Sequence, residues 1–203
     1  MNPVSSEEKI KRAALKEFSN HGFEGARIDI IARKARLNKA MIYYHFKSKE
    51  KLYESLLAEV CDMINNRVTG RTPGDQGPME QLETIVNSII DFQKGLDEDV
   101  VRMMLRELSS GGKYFKKLML PMVIMPTLGI IQELFSVGIK QGVFKNVIPH
   151  LTFIQTLGSI IFVNAIRITL ADTDMGKTIF KDDFFDQFKT NLLTILKQGI
   201  LAN

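Results

Sequence analysis

The chain has 203 residues, 45% of them hydrophobic, with a formal net charge of +4 and one cysteine. That length supports a sizeable core, in one domain or in a small domain joined to a larger one, and the lone Cys61 excludes an intramolecular disulfide and a cysteine-built zinc cluster. The longest apolar runs, LMLPMVIM and LGSIIFVNAI, fall short of the roughly 18 to 20 uninterrupted residues of a membrane span, and the polar start MNPVSSEEKIKR is no signal peptide, so a soluble protein of the reducing cytoplasm with no membrane partner is expected.

Charge is unevenly spread. Residues 1–52 hold 12 Lys/Arg against 6 Asp/Glu, a net of +6, while the remaining 151 residues carry a net of −2. A basic excess confined to the first quarter is the footprint of a nucleic-acid or anionic-membrane surface.

Helical spacing recurs along almost the whole chain and strand signals are weak, so the expected fold class is all-α, with about nine helices. The first helix starts at Ser5 or Ser6, where Ser5 and Glu8 match a capping box; Ile10, Ala13, Ala14 and Phe18 form its apolar face and Gly22 stops it. A second short helix fits Ile28 to Ala35. Leu37 and Asn38 make a turn, and a third helix of about two turns runs from Lys39 to Phe46 with Asn38 as its N-cap. Ser48 caps a fourth helix, KEKLYESLLAEVCDMINNRV, which crosses from the small domain into the larger one. TGRTPGDQGP, residues 69–78, is the one loop-like stretch. Further helices are expected near 79–95, 98–109, 113–142 with a break at Pro121 or Pro126, 149–170 and 182–200. Residues 1–48 then form a small helical domain and 49–203 a larger one.

Two short helices joined by a tight turn inside a basic three-helix unit place a recognition helix in a DNA major groove. Ile31, Ala35, Leu37 and Ile42 can bury the seam between the helices, and small Ala32 permits close approach. Facing outward are Arg33, Lys34, Arg36, Asn38, Lys39, Ala40, Met41, Tyr44 and His45. Asn38, Lys39, Ala40 and Met41 lie at the end that reaches base edges; with few long donors there, direct readout is modest and is supplemented by thymine-methyl contacts. On its own a basic run is more often a solvated helix face. Phe46 is expected in the core and Tyr43 in a mixed role, ring packed and hydroxyl toward phosphate. His45 is either a half-buried structural histidine or a contact, and His21 and His150 are read as structural.

These residues carry a resemblance. Ile10 to Gly22, IKRAALKEFSNHG, is similar to ILxAAxxLFxxxG, and IARKARLNKAMIYYHFKSKEKLY is similar to IAxxAGVSxGxxYxHFxxKexL, both patterns of the DNA-binding domain of TetR-family transcriptional regulators. The likeness spans residues 8–53, and beyond residue 55 it is one of architecture, with ELFSVGIKQGVF resembling the segment before the family's last two helices. It implies phosphate contacts by Tyr43, Tyr44, His45 and Lys49, and base contacts from 38 to 41. Three departures matter. The family's turn Gly falls at Arg36, where a left-handed backbone costs on the order of 1 kcal/mol, which points to an adjusted turn. The capping Thr is replaced by Arg27, which loses the cap and offers a longer-reaching charge to phosphate. Ser is replaced by Asn38, which still caps.

Met103, Met104, Met119, Met122 and Met125 hold half the methionines within 23 residues. Each one alone reads as bundle core; together they suit an adaptable apolar pocket. The resemblance implies a ligand pocket in this region, with Phe92, Phe115, Met122 and Phe162 as further wall candidates beside Met103, Met104 and Met119. Asn164 and Arg167 interrupt an apolar helix and either orient a ligand's polar group or point to solvent or a subunit interface. Surplus apolar surface on 149–170 and 182–200 suits a four-helix homodimer interface, with Gly158 and Ser159 allowing close approach and two reading heads about 34 to 36 Å apart.

No nucleophile with a base, metal-ligand spacing or phosphate-cradling Gly loop is seen, so no enzyme, cofactor or metal is expected. The expected function is a ligand-responsive transcriptional repressor released from a near-palindromic operator by a small apolar effector. The alternative is an effector-independent architectural or division-control DNA-binding protein of the same fold.

Overall fold

Ser5 starts the first helix through a reciprocal cap: its hydroxyl accepts from the Glu8 amide at 3.1 Å, and the Glu8 carboxylate accepts from the Ser5 amide at 2.9 Å. In a computed structural model describing residues 4–67 and 76–202, the helices in chain order are α1 (Ser6–Gly25), α2 (Ile28–Ala35), α3 (Lys39–Phe46), α4 (Lys49–Arg67), α5 (Pro78–Lys94), α6 (Glu98–Ser109), a π-helical segment (Phe115–Ile124), α7 (Met125–Lys140), α8 (Pro149–Leu170), α9 (Asp174–Ile179) and α10 (Phe184–Ile200). The all-α class stands, with ten α-helices among the described residues. Gly22, at φ 67 and ψ 179, breaks α1 before one last turn. Six-residue α9 is too short to announce itself by periodicity. The loop expected over 69–78 lies outside the described residues as far as residue 75.

The chain divides into two compact units, one running up to Met63 and including Asp97–Met122, the other built from Ile64–Leu96 and Val123 onward. This division departs from the boundary expected at residue 48. In the first unit, Leu52, Tyr53, Leu56 and Leu57 of α4 and Met103 of α6 share one buried core with Ile10, Phe18, Ile31, Ile42 and Phe46. The Ser19 hydroxyl donates to Asp99 at 2.7 Å and Arg106 Nε donates to the Ser19 carbonyl at 2.7 Å, holding α6 on α1.

A polar clasp joins α4 to the segment after α6. Buried Glu107 accepts from the Tyr114 and Phe115 amides at 2.7 and 3.1 Å, and from the Tyr53 hydroxyl at 3.0 Å. One carboxylate thus satisfies the amides that open the π-helical segment and fixes a phenol of α4. Glu50 accepts from Lys113 at 3.2 Å and from the Tyr114 hydroxyl at 3.1 Å, while Glu54 pairs with Lys117 and, at 2.9 Å, with Lys51. Tyr53 stands at 4.8 to 5.2 Å from the rings of Phe18, Phe23 and Tyr114. Farther along α4, Cys61 Sγ lies 3.1 Å from Met119 Sδ, and burial pushes its thiol up to about 11.

In the second unit, a stripe on α5 of Leu82, Ile85, Val86 and Ile89 is buried or lined by α7, α8 and α10. Asn164, fully buried on α8, donates to the carbonyl and the side-chain oxygen of Gln93 at 3.2 and 2.9 Å and accepts from Arg167 Nε at 3.0 Å. Its polar atoms therefore register α8 against α5. The Arg167 guanidinium lies 5.6 Å from the Phe185 ring.

One face of α8 is apolar and uncovered: Leu151, Ile154 and Phe162 are 46%, 55% and 65% exposed, with exposed Gly158 between them, and Ile195 on α10 is 58% exposed. Phe115–Lys140 and Pro149–Leu170 are also long and apolar enough, by length and composition, to cross a membrane, although neither holds an uninterrupted apolar run of that length. Averaged over a helix, the single Pro, Gly and Asn interruptions no longer outweigh the surrounding Ile, Leu, Met and Phe.

Candidate nucleic-acid interface

Ile31 and Ile42 are fully buried, Ala32, Ala35 and Phe46 nearly so, and Leu37 is half-buried. This seam fixes α3 against α2 and leaves the turn and the start of α3 outward. Asn38 caps α3, its side-chain oxygen accepting from the Met41 amide at 2.9 Å. Asn38, Lys39 and Ala40 are exposed; Met41 is half-buried and packs against the core, so only its outer edge meets solvent. Tyr43 is 47% and Tyr44 70% exposed.

Arg36 settles the question of the turn. It is left-handed, at φ 57 and ψ 40, so the family geometry is kept in spite of the side chain rather than adjusted around it. Arg27 occupies the N-cap position of α2 without a side-chain cap; its guanidinium instead forks onto Asp29 at 3.3 and 3.1 Å. Desolvation is the largest single influence and opposes this, but the Arg27 fork, the backbone hydrogen bond and the nearby cations together hold the Asp29 carboxyl below its ordinary value. Lys34 pairs with buried Glu17 of α1 at 2.6 Å and is thereby structural.

Lys49 has an internal role that its position in the motif did not reveal. Its ammonium donates to the Glu24 and Ala26 carbonyls at 3.3 and 3.2 Å and sits 4.6 Å from the centre of the Phe23 ring, closing the end of α1 against the start of α4. His45 is half-buried, 5.2 Å from the Tyr44 ring, with a buried Nε2 that has no hydrogen-bond partner, as a packing histidine would be. His21 stands 3.9 Å from Glu17.

Of the nine residues expected to wall a ligand pocket, Met103, Met104, Phe115, Met119 and Met122 belong to the first unit and Phe92, Phe162, Asn164 and Arg167 to the second. Met103 is buried in the core of the first unit and half-buried Met104 packs on it; Met119 is buried beside Cys61, and Phe115 is half-buried after Glu107. Met122 and Phe162 are exposed, Phe92 is buried on α5, and Asn164 and Arg167 are engaged with Gln93 and with each other. A narrow apolar cleft, with room for about one water, lies elsewhere in the second unit, lined by Leu82, Ile85, Val86, Ile89, Ile131, Phe135, Thr152, Phe153, Thr156 and Leu196. Its sequence signal is the 82, 85, 86, 89 stripe of α5 facing a helix on which Thr152 and Thr156 break the apolar run. The Thr156 hydroxyl donates to the Thr152 carbonyl, so the wall presents no unsatisfied donor.

Residues 10–56 match the family model described as bacterial regulatory proteins, tetR family. The chain is 30% identical to the HTH-type transcriptional repressor NicS of Pseudomonas putida over 166 residues, covering 81% of this chain and 78% of that protein. Among solved structures it is similar to AibR in complex with isovaleryl coenzyme A and operator DNA, with a TM-score of 0.73, 20% identity and coverage of 96% and 100% of the two chains. It is also similar to FadR of Bacillus subtilis in complex with stearoyl-CoA, with a TM-score of 0.70, 20% identity and coverage of 94% and 97%.

Proposed function

Because the chain belongs to the TetR family of bacterial regulatory proteins, we propose that it is a cytoplasmic, ligand-responsive transcriptional repressor, binding rather than transforming its ligands. The observation that carries this reading is the exposed Asn38, Lys39 and Ala40 at the capped start of α3, set on a seam of buried Ile31, Ala35 and Ile42. Base edges are read from this end; Tyr43, Tyr44 and Arg27 position the phosphate backbone, and Lys49 keeps one of its three donors for the same purpose. His45 acts mainly by packing α3.

Two copies associate through the uncovered faces of α8 and α10. A second copy suits these faces better than lipid, because α8 also buries Asn164, which with half-buried Arg167 forms a polar network against α5. The effector is a small apolar molecule that enters between α5, α7, α8 and α10 by widening the narrow cleft there; the solved structures of AibR and FadR hold acyl thioesters of coenzyme A, which makes an acyl chain the first class to try. It acts only through a difference in affinity between the DNA-competent conformation and another.

The test is selection of duplexes from a random pool by the wild-type protein, then binding at physiological salt with and without isovaleryl-CoA, stearoyl-CoA and free fatty acids. An inverted repeat is expected, with release by one acyl class. Binding without sequence preference overturns the reading. Selection of an operator with no release by any apolar compound favours the effector-independent alternative, to which the narrowness of the cleft lends weight.

A further inference from the structure

Three helices of this chain end in the same hydrogen-bonded pattern. At the end of α6 the Gly112 amide donates to the Glu107 carbonyl at 2.9 Å and the Gly111 amide to Leu108 at 3.3 Å. At the end of α7 the Val143 amide donates to Gly138 at 2.8 Å and the Gly142 amide to Ile139 at 3.1 Å. At the end of α2 the Leu37 amide donates to Ala32 at 3.0 Å and the Arg36 amide to Arg33 at 3.1 Å. Each closure requires one left-handed residue. The first two use glycine, Gly111 at φ 95 and Gly142 at φ 72, whereas α2 uses Arg36.

The far end of α3 repeats the anomaly. Lys47, at φ 66 and ψ −38, turns the chain tightly, with the Ser48 amide donating to the Phe46 carbonyl at 2.7 Å. Among the described residues, Arg36 and Lys47 are the non-glycine residues of positive φ. Both are cations, both are exposed, and they stand just before and just after α3. Packing does not explain why glycine is absent from these two positions and present at the ends of α6 and α7.

Availability does. Neighbouring Arg27, Lys34 and Lys51 are paired with Asp29, Glu17 and Glu54, but Arg36 has no acidic partner among the described residues. Lys47 spends one donor on the Tyr44 carbonyl at 2.9 Å and keeps two. At about 1.5 Å per residue, the eight residues of α3 span about 12 Å, close to the roughly 12 Å width of the B-DNA major groove. With the helix seated across the groove, residues just beyond its two ends would stand near the phosphate walls.

We propose that Arg36 and Lys47 are phosphate-contacting cations that bracket the recognition helix, kept in a backbone geometry glycine would adopt without strain; the proposal rests on the DNA-binding reading above. It is tested with R36G and K47G on the duplex selected by the wild-type protein. Each variant is expected to melt at the wild-type temperature or higher, yet to bind on the order of tenfold more weakly. The slope of log affinity against log salt should fall by about 0.9 for each phosphate no longer neutralised. R36K and K47R should retain the wild-type salt slope. Wild-type affinity and slope in the glycine variants overturn the proposal while leaving the DNA-binding reading intact, and so does a lowered melting temperature that accounts for the weaker binding. If the wild-type protein selects no duplex, both readings fall.

Discussion

Lys49 is held within the fold and is also proposed to reach DNA. With two carbonyls and a ring already holding its ammonium, Lys49→Ala should lower the unfolding free energy by about 1–2 kcal/mol as well as weaken DNA binding. A urea midpoint equal to wild type would show that the carbonyl contacts contribute nothing. Tyr53→Phe is the cleaner probe of the clasp, since it removes one hydroxyl and leaves a buried oxygen of Glu107 one donor short. A loss of about 1–3 kcal/mol is expected in the same titration. Residue roles were legible where they are local: the Ser5 and Glu8 box, the Asn38 cap and the buried Ile31, Ala35 and Ile42 follow from spacings of three or four along one helix or across one turn. The carbonyl partners of Lys49 lie 23 and 25 residues away and could not be read from its motif.

Among the elements, α6 was legible as a helix but not as a member of the first unit. Its attachment depends on Ser19 meeting Asp99 across 80 residues and Arg106 meeting Ser19 across 87, pairings that no periodicity encodes. The methionines of α6 therefore filled the core beneath α1 rather than a pocket. Holding α4 to the segment after α6 are carboxylates whose charge matters. Lys117 foremost, opposed by burial and helped by Lys51, holds the Glu54 carboxyl below its ordinary value of 4.5, and Lys113 with Tyr114 does the same for Glu50. A folded-state value below the unfolded one means stability that is present above the ordinary carboxylate range and lost as pH falls through the depressed value. Wild-type protein should thus lose stability on acidification below about pH 4.5, and Glu54→Gln should be less stable at neutral pH yet show a flatter acid limb in melts from pH 6 to pH 3. An unchanged acid limb would remove Glu54 from the account.

At the scale of the whole molecule, the apolar stripe of Leu151, Ile154, Gly158 and Phe162 is exposed and forms the proposed dimer interface. Burying one such aromatic or aliphatic side chain is worth about 1.5–3 kcal/mol, so Phe162→Glu should turn a sedimenting dimer into a monomer at micromolar concentration and abolish cooperative binding to an inverted repeat. A dimer that survives the change would place the interface elsewhere. That α8 carried surplus apolar surface was plain from composition; which side was left bare required knowing that Phe153, Ile160 and Asn164 face inward. Cys61, meanwhile, gives the molecule an internal clock. It is the chain's one thiol, sealed against Met119 and too weakly acidic to react at neutral pH while enclosed. Alkylation can then proceed only as fast as α4 parts from the neighbouring segment, so the labelling rate in unmodified protein times that opening directly. DNA that binds the closed form should slow the clock, and an effector that favours an opened form should quicken it.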